Sequence, residues 1–173
     1  AKKRHWEDVK EGDLLPTMSK GPMTVTGFIA YAQGWGGLYI RANKLAWRLI
    51  QAHPGAGIKN RFGIPDVPER VPWEEDFALE VGAPGADDYG PERCSWLTHQ
   101  LTNWMGDAGR LKSLTDQYRA HVYLGDVVRL GGRVEAKEVD ADGDHVVRLK
   151  TWAYNQREQN VMPGTACIVL PVR

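Results

Sequence analysis

Two side chains one helical turn apart are the first in this sequence to suggest chemistry. His99 and Asn103 stand four residues apart in a stretch of helical periodicity, so they share a face and can address one ligand. An imidazole, which ordinarily titrates near neutrality, can take a proton from carbon or from water, with Asn103 or Asp107 orienting it. The same spacing also suits a hydrogen-bonded histidine at a helix–sheet contact. Asp66 is the second candidate. It lies in Ile64-Pro65-Asp66-Val67-Pro68-Glu69-Arg70, where two prolines restrict the backbone and hold the acid in place. Such a held carboxylate suits a general acid or base, and suits equally a loop tied by an Asp66–Arg70 ion pair. Lys59 and Arg61 on the same loop can meet phosphates or simply face solvent.

Other chemistries are excluded by spacing. His5, His53, His121 and His145 form no zinc pattern, since neither HxxxH nor HExxH occurs. The two cysteines, Cys94 and Cys167, make neither a disulfide framework nor a metal set, and neither has an activating neighbour in sequence. The stretch Asp140-Ala141-Asp142-Gly143-Asp144 has a calcium-loop texture, but its twelfth position is Thr151, not glutamate; it reads as a hairpin turn. Gly34-Trp35-Gly36-Gly37 lacks the lysine and hydroxyl residue of a phosphate loop. No metal and no bound cofactor are expected.

These side chains need elements to position them. A chain of 173 residues with 42% hydrophobic residues can build one compact domain, and seven Trp, six Tyr and three Phe argue against disorder. Charges balance at 22 against 22, which gives no support to nucleic-acid or acidic-membrane binding. No 18-residue apolar run predicts a membrane span, and the start AKKRHWEDVKEGD has no apolar leader core, so a cytoplasmic protein is the expectation. Residues 1–23 read as an extended lead-in. A helix capped by Thr24 or Thr26 ends among Gly34, Gly36 and Gly37, and a second pattern runs from Leu38 to Ile50. A loop over 54–72, a short helix over 73–81 and a longer helix over 91–105 follow. Strands are predicted at 114–123, 127–139, 145–154 and 161–172, joined as an antiparallel meander. The whole reads as α+β.

At this point the order of motifs resembles a family. WEDVKEGD at 6–13, the PMTVTGFIAYAQG start of the first helix, HVYLGDVVRLGGRV and the closing NVMPGTACIVLP are similar to the MaoC-like hot-dog acyl dehydratases. Gly12-Asp13, Gly125-Asp126, Gly132-Val134 and Gly164-Thr165-Ala166 match that pattern, and the chain resembles the second half of two-domain members. The resemblance implies a hot-dog fold, an antiparallel sheet wrapped around a central helix. It covers residues 1–173 as a single domain, with a helical and loop insertion at about 38–88. It further implies an enoyl-CoA hydratase or 3-hydroxyacyl-CoA dehydratase of lipid metabolism, acting on coenzyme A or acyl-carrier thioesters. A hot-dog dimer, homo- or hetero-oligomeric, is implied as well.

In that family the amino end of the central helix receives the thioester carbonyl, which places Tyr89, Gly90 and Arg93 near the acyl group. Active members carry an Asp-x-Asn-Pro-x-His motif after the first helix. Here the stretch is GWGGLYIRAN at 34–43, with no acid and no histidine. Three readings follow: His99, Asp66 and Asn103 carry the reaction; or the chain is a non-catalytic substrate-binding subunit whose partner supplies the Asp/His pair; or it is a thioesterase using Asp107 or Asp66. Seven tryptophans suit a core with a dimer contact. Alternatively Trp35 and Trp96 line a wide acyl pocket.

Overall fold

A computed structural model describes residues 3–36 and 40–173. In chain order the elements are β1 (Met18–Lys20), α1 (Val25–Trp35), α2 (Asn43–Ala52), β2 (Ile58–Lys59), β3 (Pro65–Asp66), α3 (Glu75–Glu80), α4 (Gly90–Met105), β4 (Arg110–Asp116), β5 (Val128–Val139), β6 (His145–Asn155) and β7 (Gly164–Val169). The chain divides into two compact units. The first holds Ala1–Pro22, Gly90–Val122 and Asp126–Arg173; the second holds Met23–Tyr89 with Tyr123–Gly125.

The first unit is an antiparallel sheet in the order β1-β5-β6-β7-β4, curled over α4. This is the hot-dog arrangement. Its core joins Leu101, Trp104 and Met105 of α4 to Val134, Leu149, Ala166 and Ile168 on the inner face of the sheet. Burial of these side chains is the main force holding helix to sheet. Register shifts at Val134/Ala136 and at Leu111/Ser113 are bulges that help bend the strands. The Asp140–Asp144 turn is a hairpin, as the spacing implies: Asp140 Oδ1 accepts the amides of Asp142 and Asp144. The three acids of the turn gather around the Lys112 ammonium at 2.6, 2.6 and 3.0 Å.

The two Gly-Asp pairs prove to be chain-turning devices. Gly12 and Gly125 both have left-handed backbone, with φ of 87° and 82°, where a Cβ would be strained. Asp13 accepts the Lys10 amide, and buried Asp126 is clasped by both nitrogens of the Arg157 fork at 2.7 and 2.6 Å.

The second unit is organised around Arg70. Its guanidinium donates to the carbonyls of Ile58 and Lys59, pairs with Glu74 at 2.6 Å and lies over the Phe77 ring. Thr24 caps α1 by accepting the Gly27 amide, and Gly36 ends it at φ 88°.

Several expectations are corrected. The lead-in contains β1, an edge strand paired with β5. The strand expected at 114–123 begins at Arg110 and stops at Asp116, after which the chain wraps α4. The meander holds for β5-β6-β7, whereas β4 pairs with β7 at the opposite edge from β1. The long stretch between β4 and β5 is a loop instead of a hairpin. The last strand is shorter, Gly164–Val169. The loop over 54–72 contains the small β2–β3 ladder, and α2 begins at Asn43; Gly37 and Leu38, invoked above as helix end and helix start, lie outside the described residues.

Candidate functional site

The inner face of the sheet changes character along α4. Opposite Leu101, Trp104 and Met105, the cross-strand row Val134–Leu149–Ala166–Leu114 is wholly apolar. Two residues further along each strand, side chains return to the same face. That next row is Gly132–Thr151–Gly164–Asp116. The apolar layer seals the fold, and the adjoining layer offers small and polar groups.

Asp116 was absent from the sequence-based candidates, although it sits two residues beyond Leu114 within the strand expected there. An acid in the inward frame of a strand is the signal that could have found it. Its Oδ2 is buried without a hydrogen-bond partner, and burial raises its carboxyl above the usual range. Across the row, the Thr151 hydroxyl is buried and unpartnered as well. Between them stands Gly164, where a Cβ would fall 2.6 Å from the Thr115 carbonyl oxygen and 2.8 Å from Thr151 Oγ1. On α4, Cys94 lies close enough to feel the Asp116 charge; burial first, then that charge, pushes its thiol up. Cys94 is therefore a thiol and not a nucleophilic thiolate.

The first turns of α4 are held by the loop after β4. Gly90 has no side chain, and Tyr118 occupies the space: a Cβ there would be 2.9 Å from its ring. Buried Arg93 donates to the Ala120 carbonyl at 2.5 Å and lies over the Tyr118 ring. Trp96 is buried. His99 and Asn103 are exposed on α4. The Lys20 ammonium of β1 donates to His99 Nδ1 at 2.8 Å, leaving the ring proton on Nε2. Burial lowers the Lys20 pKa, and Glu92 opposes that shift.

Asp66, Tyr89 and Trp35 belong to the second unit. Both Asp66 oxygens are engaged, Oδ2 by Asn60 at 3.1 Å and Oδ1 by the Val67 amide at 2.7 Å. The suggested Asp66–Arg70 tie is not formed; Arg70 pairs with Glu74. Tyr89 donates to the Glu69 carbonyl and packs between the rings of Tyr31 and Trp73. Trp35 is 53% exposed. A metal site finds little support. Among the described residues Asp140, Asp142 and Asp144 are the one acidic cluster of metal-binding compactness, and Lys112 already sits among them. No helix among the described residues is long and apolar enough to cross a membrane.

Comparison with solved structures gives the same fold. The (R)-hydratase from A. caviae involved in PHA biosynthesis superimposes with a TM-score of 0.69 at 15% identity, covering 95% of this chain and 99% of that one. A MaoC-like dehydratase from Rhodospirillum rubrum matches with a TM-score of 0.66 at 16% identity over 99% of both chains. A chain of the ChsH1-ChsH2 complex from Mycobacterium tuberculosis matches with a TM-score of 0.63 at 15% identity, covering 93% and 98%. No protein-family model matches the sequence, and no curated protein sequence does either. The chain has the hot-dog fold of the MaoC-like dehydratases.

Proposed function

We propose that this chain is a MaoC-like hydro-lyase, adding water to 2-enoyl thioesters or removing it from 3-hydroxyacyl thioesters. The observation that carries this reading is the pairing of α4 with a polar row on the inner face of a hot-dog sheet, in a fold shared with hydratases and dehydratases. Amides and dipole at the amino end of a helix favour the oxygen on which charge accumulates when a thioester becomes an enolate. Gly90, Arg93 and Trp96 would then border the acyl group, with His99 and Asn103 further along α4. The thioester, of coenzyme A or a carrier protein, is the substrate, and the working form is a hot-dog oligomer in the cytoplasm.

A second reading is favoured by one observation: the stretch at 34–43, where active relatives keep an Asp/His pair, has neither residue. The chain would then be the non-catalytic subunit of a heteromeric dehydratase.

Loss of enoyl absorbance on mixing with crotonyl-CoA, and with a longer enoyl-CoA, tests both. Activity of the isolated chain supports the first reading. Activity only after adding a second hot-dog chain supports the other, and activity in neither case overturns both. His99→Ala and Asp66→Asn separate the two sequence-based acid–base candidates. A general acid or base contributes about 100-fold or more, so a fall below ~3-fold removes that residue from the chemistry.

A further inference from the structure

The geometry points to Asp116 as the acid–base group of the hydration, with the Thr151 hydroxyl as its partner in holding the water, on a row where Gly164 lets the strands that carry them approach closely. This rests on the hydro-lyase reading above and assigns the chemistry that the absent Asp/His pair leaves vacant.

Three observations converge. Asp116, Gly164 and Thr151 are register neighbours on β4, β7 and β6, and all three stand in the inward frame set by Leu114, Ala166 and Leu149. A carboxylate oxygen and a hydroxyl in one row are each buried without a partner. Leaving such groups unpaired is costly, and folds accept that cost where a ligand completes the bonding. And the position between them is a glycine at which a Cβ would fall 2.6 Å from the Thr115 carbonyl oxygen and 2.8 Å from Thr151 Oγ1, so the row that carries the two groups is closely drawn together there. On the helix side, Cys94 and Arg93 belong to the same first turns of α4 to which a thioester carbonyl would bind.

The step balances within these groups. The Asp116 carboxylate takes a proton from water as the water oxygen bonds to C3 of the enoyl chain. The π electrons of the C2–C3 bond move to the thioester oxygen as an enolate. The protonated Asp116 carboxyl then gives its proton to C2, the carbonyl re-forms, and the carboxylate is regenerated. One water is consumed and no oxidant is needed. A carboxyl raised by burial exchanges protons nearer neutrality than an exposed one does.

The test uses Asp116→Asn, Asp116→Glu and Thr151→Val in the full chain, with the second hot-dog chain present if activity requires it. Asp116→Asn is expected to lower crotonyl-CoA hydration at least 100-fold and to abolish the acidic limb of the pH–rate profile. Asp116→Glu restores part of the rate, and Thr151→Val lowers it about 10-fold. Binding of butyryl-CoA, a saturated analogue that cannot react, stays within 3-fold of wild type in all three. The Asn variant is also expected to unfold at a higher urea concentration than wild type, because it removes a desolvated charge; a structural carboxylate would give the opposite shift. A rate within 3-fold of wild type for Asp116→Asn overturns the assignment. If the wild type hydrates nothing, the hydro-lyase reading fails, and carbon-13 titration of Asp116 decides the site separately. Its pKa must move when butyryl-CoA binds, and no movement overturns the site.

Discussion

The helices α4 and α2 use their apolar residues in opposite ways. In α4, Leu97 and Leu101 are fully buried and Trp96, Trp104 and Met105 nearly so. In α2, none of the ten residues is buried, and Leu45 and Trp47 are each 61% exposed. Yet α2 is the more regularly amphipathic of the two in sequence, with Leu45, Ala46, Leu49 and Ile50 recurring at helical spacing. Ile50 lies over Gly57, where a Cβ would fall 2.8 Å from its Cγ2. Periodicity announces that a helix has a face to bury; it does not say that the burying surface is in the same unit. The basic residues sharpen the contrast. From Leu14 to Pro65 there are six Lys and Arg and not one Asp or Glu, in a chain whose charges balance as a whole.

The comparison breaks if the two helices respond alike to truncation. Leu101→Ala empties a fully buried site and should cost about 3 kcal/mol by urea denaturation. Gly164→Ala comes next: its Cβ meets the Thr115 carbonyl, and the strain of separating β4 from β7 should cost about 2 kcal/mol. Because β4 carries Asp116, the same substitution should slow hydration more than its stability loss explains. Thr24→Ala removes the cap of α1 and should cost about 1 kcal/mol. Followed by probes in each unit, it sharpens the contrast by telling whether the two units unfold together.

A smaller effect is expected at Lys112. The ammonium holds Asp140 and Asp144 below the usual carboxylate range, and they in turn raise it. For the acids, the stabilisation is present above about pH 4 and is lost as pH falls through their depressed values. For the lysine it is present below about pH 10 and is lost only as pH rises through its raised value. Lys112→Ala should therefore lower the urea midpoint by a constant amount between these limits, converge on wild type in acid, and matter less in high salt. Least of all, Leu45→Ala should change stability by less than about 0.5 kcal/mol. A loss there equal to that of Leu101→Ala would refute the contrast between the helices.

How much of this was legible in the sequence depends on whether the cause was local. α1 and α4 were readable because caps and periodicity lie within each segment: Thr24 accepts the Gly27 amide three residues on. The hot-dog sheet followed from the order of motifs, whose Gly-Asp pairs are turns fixed by backbone conformation. Partnership between strands was not readable in the same way. β1 looks like a polar lead-in because its pairing with β5 is made by residues more than a hundred positions away. His99 and Asn103 could be read as neighbours on one helix because a helix turn is a local rule. The row linking Asp116 to Thr151 through Gly164 exists only once three strands are in register.

The strand order carries a consequence for how the chain is made. Both sheet edges, β1 and β4, precede in sequence the three strands that separate them. A ribosome therefore releases the edges and α4 before any of the interior. Until β5, β6 and β7 emerge, Leu97, Leu101 and Trp104 have no sheet to cover them. Closure is deferred until those three strands are made, and loop-closure entropy makes such late, long-range pairing slow. During that interval the nascent chain depends on shielding from elsewhere, so its yield in a cell should answer to chaperone supply more than its final stability would suggest.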